Sequence, residues 1–187
     1  AVWLGHNRLS IIDLSEQGHQ PMADDASRYW ITYNGEVYNY LELRAELVEL
    51  GYAFRTETDT EVILKAFIEW GDDAFKRFNG MWALAIWDSL EERLVISRDR
   101  FGIKPLYYTR IGDSIALASE IKPLLELKGE APVANYRAIS RFFFDGNIDG
   151  QSETWFKDVW RFPEAHTLSL QHDKEVWSAY WGLSESN

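Results

Sequence analysis

Three short polar stretches carry residue types that could do chemistry together. Arg8 lies in "GHNRLSIID", Asn34, Gly35 and Glu36 follow one another in "ITYNGEVYNY", and Asp59 sits in "TDTE". They supply a guanidinium for a carboxylate, two acids for an ammonium, and amide donors for an oxyanion. That is the inventory needed to hold a free amino acid by both its α groups. Each member also has a plain structural reading. Arg8 can be a surface ion pair, Asn34-Gly35 a turn, and Asp59 a helix cap.

Other chemistries lack their residues. The 187 residues contain no cysteine, so they offer no disulfide, thiolate metal site or thiol nucleophile. His6, His19, His166 and His172 are scattered without metal-ligand spacing, and no metal is expected. There is no G-x-S-x-G elbow and no phosphate-binding glycine loop. Asp24-Asp25 and Asp72-Asp73 read as solvated turns or helix starts.

The elements that must position these residues follow from the hydrophobic periods. Leu9 to Leu14 and Tyr29 to Tyr33 read as strands, the second reaching a turn at Asn34-Gly35. Asn39 is expected to cap a helix that Gly51 closes. That helix has Tyr40, Leu43, Leu47 and Leu50 on one face and a second stripe of Leu41, Ala45 and Val48, so burial over more than half its girth is expected. Thr58 to Glu61 is a capping-box pattern opening a second helix, with Val62, Ile63, Ala66, Phe67 and Trp70 inward and Glu61, Lys65 and Glu69 toward water. Hairpins are predicted across Ser89 to Glu92, Ile111 to Asp113 and Gln171 to Glu175, and helices over Ser119 to Leu127 and Asn135 to Phe143. Phe144 to Thr154 reads as a loop. Two early helices among several hairpins give an α+β class, helices layered on antiparallel sheet.

Composition bounds the function. Hydrophobic residues make up 46% and charged ones 26%, with nine Trp, nine Tyr and ten Phe, as in a globular domain with an aromatic core or interface. The net charge is −11 and no basic run occurs, which argues against nucleic acid and anionic membranes as partners. No signal peptide or membrane-spanning run is present, and a soluble, cytoplasmic protein is expected.

Six stretches occur in order: "LGHNRLSIIDLSEQGHQPM", "YNGEVYNYLELRAEL", "TDTEVILKAFIEWG", "RFNGMWALAIWD", "RDRFGIKPLYY" and "ASEIKPLL". Together they resemble the N-terminal glutaminase domain of glutamine-hydrolysing asparagine synthetases, a class II, N-terminal-nucleophile glutamine amidotransferase. The match runs to about Leu125 and continues more loosely through "TWFKDVWRFPEAHTLSL" and "YW". The resemblance implies an αββα sandwich of two antiparallel sheets between helical layers. It also implies that Arg8 pairs with the α-carboxylate of L-glutamine and that the backbone around Ile11 and Ile12 lines the pocket. Asn34 and Gly35 would form the oxyanion hole, and Glu36 and Asp59 would take the α-ammonium. In such enzymes the thiol of an N-terminal cysteine, activated by its own amine, releases ammonia to a second domain that activates aspartate with ATP and Mg.

The sequence departs from that pattern at both ends. Nothing corresponds to the Cys-Gly strand before "LGH", nor to an S-G-G-x-D-S pyrophosphate loop. Ala1 runs directly into an apolar stretch, so residues 1–187 are expected to be one partial glutaminase domain with its first strand missing, inactive alone and carrying an exposed sheet edge or groove. The expected partners are L-glutamine and a C-terminal synthetase domain, with a homodimer left open. Two other readings also remain open. In one the parent is a related synthetase-like amidotransferase acting on a sugar, peptide or β-lactam precursor; in the other the chain is a nucleophile-less glutamine-binding module. "RDRFGIKPLYY" reads either as polar residues near the domain interface or as a strand-turn-strand held by Pro105 with Asp99-Arg100 at the surface. Trp155, Trp160, Trp177 and Trp181 are candidates to pack on the second domain.

Overall fold

The computed structural model describes residues 1–7, 18–146 and 152–183. The expected strand at Leu9 to Leu14 lies outside these residues. The chain resolves into two compact units, Ala1–Lys104 with Glu164–Asn187, and Pro105–Pro163.

The first unit is built on a six-stranded antiparallel sheet: β1 (Met22–Ala23), β2 (Tyr29–Val37), β3 (Gly80–Asp88), β4 (Arg93–Arg98), β8 (His166–Gln171) and β9 (Lys174–Ala179), in that spatial order. Alternation selects the buried face. On β3 it is Trp82, Leu84 and Ile86, and on the facing β2 it is Ile31, Tyr33 and Val37. Helices α1 (Tyr40–Glu49), α2 (Asp59–Trp70) and the short α3 (Ala74–Arg77) supply the rest of this core, through Leu43, Leu47, Val62, Ile63, Ala66, Phe67 and Phe75. Each such side chain contributes about 1.5–3 kcal/mol by leaving water. Phe75, Phe78, Trp82 and Tyr180 meet ring to ring at its centre, with centroids 5.7–6.1 Å apart.

Several expectations change here. Asn34-Gly35 makes no turn. Both residues continue β2, opposite Ala83 and Trp82, and Gly35 has no positive φ. Pairing along all nine residues with β3 overrides the dipeptide's turn preference. Asn39 precedes α1 but caps nothing with its side chain. Instead its carboxamide accepts from Asn79 N (2.9 Å) and donates to Arg77 O (3.0 Å), tying the exit of β2 to the entry of β3. Helix α1 buries only a narrow stripe, since Leu41, Val48 and Leu50 are more than half exposed.

The second unit holds a three-stranded antiparallel sheet, in the order β6 (Ser114–Ala118), β5 (Tyr107–Ile111), β7 (Val159–Arg161), with α4 (Ile121–Lys128) and α5 (Tyr136–Asp145). Gly129 and Gly146 end the two helices in left-handed conformation, and the Asn135 side chain caps α5 by accepting from Ala138 N. Tyr108 stacks on Trp160. The predicted hairpins β3–β4, β5–β6 and β8–β9 all form, and the α+β class holds in both units.

Candidate functional site

The C-terminal half of β2 brings three of the expected residues to one place. Along a strand, alternate residues share a face, so Asn34 and Glu36 lie on one side and Tyr33, Gly35 and Val37 on the other. Tyr33 and Val37 are buried, and Glu36 is exposed. Main-chain N–H groups alternate within the sheet plane as well. Tyr38 N donates to Asn79 O (2.8 Å), on the β3 side. The odd-numbered N–H groups therefore point the other way, toward β1.

That second edge is unusual. Backbone pairing with β1 covers only Trp30 and Ile31. Beyond it, Tyr33 N donates to the side chain of Gln20 (2.6 Å) and Val37 N to the carboxylate of Asp59 (3.1 Å). The N–H of Gly35 points to the same edge, midway between these two anchored donors. A β-carbon at Gly35 would stand 2.2 Å from Met81 O and 2.8 Å from a Tyr33 ring carbon. Glycine is required here by close approach, not by a turn. Gly80 faces the same constraint against Glu36 O at 2.2 Å, so β2 and β3 cross tightly at the site.

Asp59 arrives from the other side, at the first position of α2. Thr58 caps the helix, its hydroxyl accepting from Glu61 N (3.3 Å), as the sequence pattern predicts. Asp59 is only 6% exposed. Its Oδ2 accepts both from the Tyr33 hydroxyl (2.7 Å) and from Val37 N. Among the described residues no cation pairs with it. Burial pushes its pKa up, the donors of Tyr33, Val37 and Thr60 oppose that, and nearby Glu36 adds to the rise. Burial and the neighbouring Asp59 carboxylate raise the Tyr33 hydroxyl as well, so it stays a proton donor.

The next turn of α2 does not face water as expected. Glu61 and Lys65 are 2% and 5% exposed, and only Glu69 is at the surface. The Glu61 carboxylate accepts from Arg55 N (3.0 Å), Thr56 N (2.7 Å) and the Thr56 hydroxyl (2.8 Å), and pairs with Lys65 Nζ (3.1 Å). Burial raises its pKa, but these donors together outweigh that and lower it. The chain entering α2 is thereby clamped just before Asp59. The capping box is half formed, because Glu61 reaches past the cap residue to hold the preceding loop.

Two residues without a motif role complete the arrangement. Gln20 accepts from Tyr33 N and donates to the Thr60 hydroxyl (3.4 Å), linking the segment before β1 to both β2 and α2. Tyr33 links β2 to Asp59. Its signal in the sequence is its place two residues before Gly35 on the buried alternation.

Arg8, Ile11 and Ile12 lie outside the described residues. Among the described residues no group of three or more His, Asp or Glu could hold a metal, and no helix is long and apolar enough to cross a membrane.

"RDRFGIKPLYY" departs at Asp99 from the reading that put Asp99-Arg100 at the surface. This side chain is fully buried rather than at the surface. It accepts from Trp82 N, Phe101 N, Ile103 N and Lys104 N at 2.9–3.2 Å, and the Arg98 guanidinium donates to Gly102 O and Lys104 O. Arg98 ends β4 and Tyr107 begins β5, so the segment is a strand-turn-strand as expected, its turn wrapped on a carboxylate. Trp155 is 45% exposed, while Trp160, Trp177 and Trp181 are half-buried; Trp181 packs edge-on to Phe101.

Comparisons with known proteins bear on the family and the fold of the chain. The chain is 46% identical over 132 residues to glutamine-hydrolyzing asparagine synthetase 1 of Bacillus subtilis (strain 168), covering 71% of this chain and 21% of the relative. It is 37% identical over 185 residues to glutamine-hydrolyzing asparagine synthetase 3 of the same organism, covering 97% of this chain and 30% of the relative. The chain thus spans less than a third of the length of either. Among solved structures, the glutamine phosphoribosylpyrophosphate amidotransferase of B. subtilis superposes with a TM-score of 0.67 at 16% identity, over 94% of this chain and 34% of that one, and so has the same fold. The model of the glutamine amidotransferase domain family matches residues 1–181, and the chain belongs to that family.

Proposed function

We propose that this domain binds L-glutamine by its α groups and presents the side-chain amide for hydrolysis, supplying ammonia to the synthetase part of a glutamine-hydrolysing asparagine synthetase. The observation that carries this reading is the edge of β2. There the Gly35 N–H stands between two anchored donors, next in sequence to Asn34, with a buried carboxylate at the strand's end that pairs with no cation among the described residues. In this reading Asn34 Nδ2 and Gly35 N hold the oxyanion, and Asp59 and Glu36 hold the α-ammonium. A bound ammonium would offset the burial that raises Asp59. Arg8 would take the α-carboxylate, and the backbone at Ile11 and Ile12 would line the pocket.

The reaction needs a thiolate to attack the amide carbon. The C–N bond then breaks with a proton delivered to the leaving ammonia, and water hydrolyses the thioester to glutamate. None of the 187 residues is a cysteine, so the chain by itself is expected to bind without turnover. ATP and Mg belong, in this reading, to the synthetase domain, where aspartate is the acceptor. The same reading has the parent protein in the cytoplasm, with a homodimer as its candidate assembly.

Titration calorimetry with L-glutamine tests the binding step. Heat with the wild-type chain and none with Asp59→Asn is the expected result. A folded wild-type chain that gives no heat at millimolar glutamine contradicts it.

A further inference from the structure

We propose that Tyr33 is a positioning residue of the ammonium subsite: its hydroxyl fixes the Asp59 carboxylate through one oxygen, and Gln20 fixes Tyr33. The inference rests on the reading of Asp59 as an ammonium ligand. Four links close a ring through three separate segments. Gln20 accepts the main-chain N–H of Tyr33, and the Tyr33 hydroxyl donates to Asp59 Oδ2. Asp59 is bonded to Thr60, and the Thr60 hydroxyl accepts from Gln20. Tyr33 is 4% exposed, so its hydroxyl is committed to this bond rather than to water.

The ring does two things for a ligand cation. With the Tyr33 and Val37 donors both on Oδ2, the carboxylate is held in one rotamer and Oδ1 is aimed away from them. A hydrogen bond to the charged form also keeps the acid ionised where burial and Glu36 work against it. The titratable groups acting on Asp59 are Tyr33 and Glu36, both from β2, and no described cation opposes them. Gln20 matters because the β1 pairing stops at Ile31. Without its carboxamide nothing described would hold the Tyr33 main chain on that edge.

Tyr33→Phe deletes the hydroxyl and leaves the buried ring. Carbon-detected NMR titration of the Asp59 carboxyl in the folded chain should show its midpoint rising by about half to one pH unit in Tyr33→Phe. Gln20→Ala, which leaves the core untouched, should move the same midpoint in the same direction by less. L-glutamine should bind Tyr33→Phe about tenfold more weakly, while glutaramic acid, which lacks the α-ammonium, binds both chains alike. An Asp59 midpoint that stays at the wild-type value in both folded variants overturns the proposal. A shifted midpoint in a chain that never binds glutamine leaves the Tyr33–Asp59 coupling standing and instead removes the ammonium reading on which its purpose rests.

Discussion

Two aspartates of the first unit are buried to nearly the same degree and are treated in opposite ways. Asp99 is fully enclosed, and four main-chain N–H groups divide between its two oxygens. Asp59 is almost as enclosed, yet its two strongest donors converge on a single oxygen and burial leaves it with a raised pKa. A carboxylate whose hydrogen-bonding capacity is filled by backbone is a structural pin. One that is half filled, at a helix start beside an open strand edge, keeps capacity for a partner from outside. Burial alone does not separate the two roles; the distribution of donors does.

The contrast can be broken most forcefully at Asp99. Asp99→Ala takes the acceptor from four main-chain N–H groups, that of Trp82 buried, and urea unfolding should register a loss of about 4 kcal/mol or more, or the chain should fail to fold. A denaturation midpoint near wild type would falsify the pin. Next in size is Gly35→Ala, whose methyl meets Met81 O at 2.2 Å. It should cost about 2 kcal/mol by forcing β2 from β3, and it should abolish glutamine binding. Asp59→Asn should weaken glutamine about a hundredfold yet leave the unliganded chain as stable as wild type or more so, because it removes a buried charge that no described cation balances. Loss of stability comparable to Asp99→Ala would erase the distinction between the two aspartates.

The smallest effect is in pH. The folded pKa of Asp59 lies above its unfolded value, so at neutral pH it detracts from stability, and that penalty fades as pH falls through the raised folded pKa. Asp88 runs the other way. Its bidentate bond to Arg28 holds it at about 2, so its contribution is full above the unfolded value near 3.8 and is lost as pH drops toward about 2. Urea midpoints of Asp59→Asn and wild type should therefore converge as pH falls from neutral, before the unfolded value near 3.8 is reached, while those of Asp88→Asn and wild type should converge only below that value. Parallel curves for Asp59→Asn would show that its carboxylate is not perturbed.

Much of this was legible in the sequence. The capped start of α2, its inward residues Val62, Ile63, Ala66 and Phe67, and all three hairpins follow from local pattern, because cap chemistry and alternation act over a few residues. The family was legible through the resemblance carried by six ordered stretches. What local pattern misread were positions settled by distant partners. Asn34-Gly35 resembles a turn until nine residues of β3 lie against it. Glu61 and Lys65 have the i, i+4 spacing of a solvated face, and only the folded loop at Arg55 and Thr56 supplies the backbone donors that allow them to be buried. Leu41 and Val48 complete an apolar stripe on paper but stay more than half exposed in the fold. Gln20 and Tyr33 fall inside the quoted stretches but show no role there, because each works through a residue far along the chain.

The side chains that occupy the edge of β2 have a bearing on self-association. An unpaired strand edge invites a strand from another molecule, which must engage alternate N–H groups in register. Here the donors at Tyr33 and Val37 are already taken by Gln20 and Asp59, and among the described residues the Gly35 N–H between them is the one left without an acceptor. A single vacant slot is wide enough for one oxygen atom and too short to seed a ladder. The same two side chains that frame a place for small-molecule chemistry thus act as gatekeepers against cross-strand recruitment. Their removal should show first as aggregation on storage.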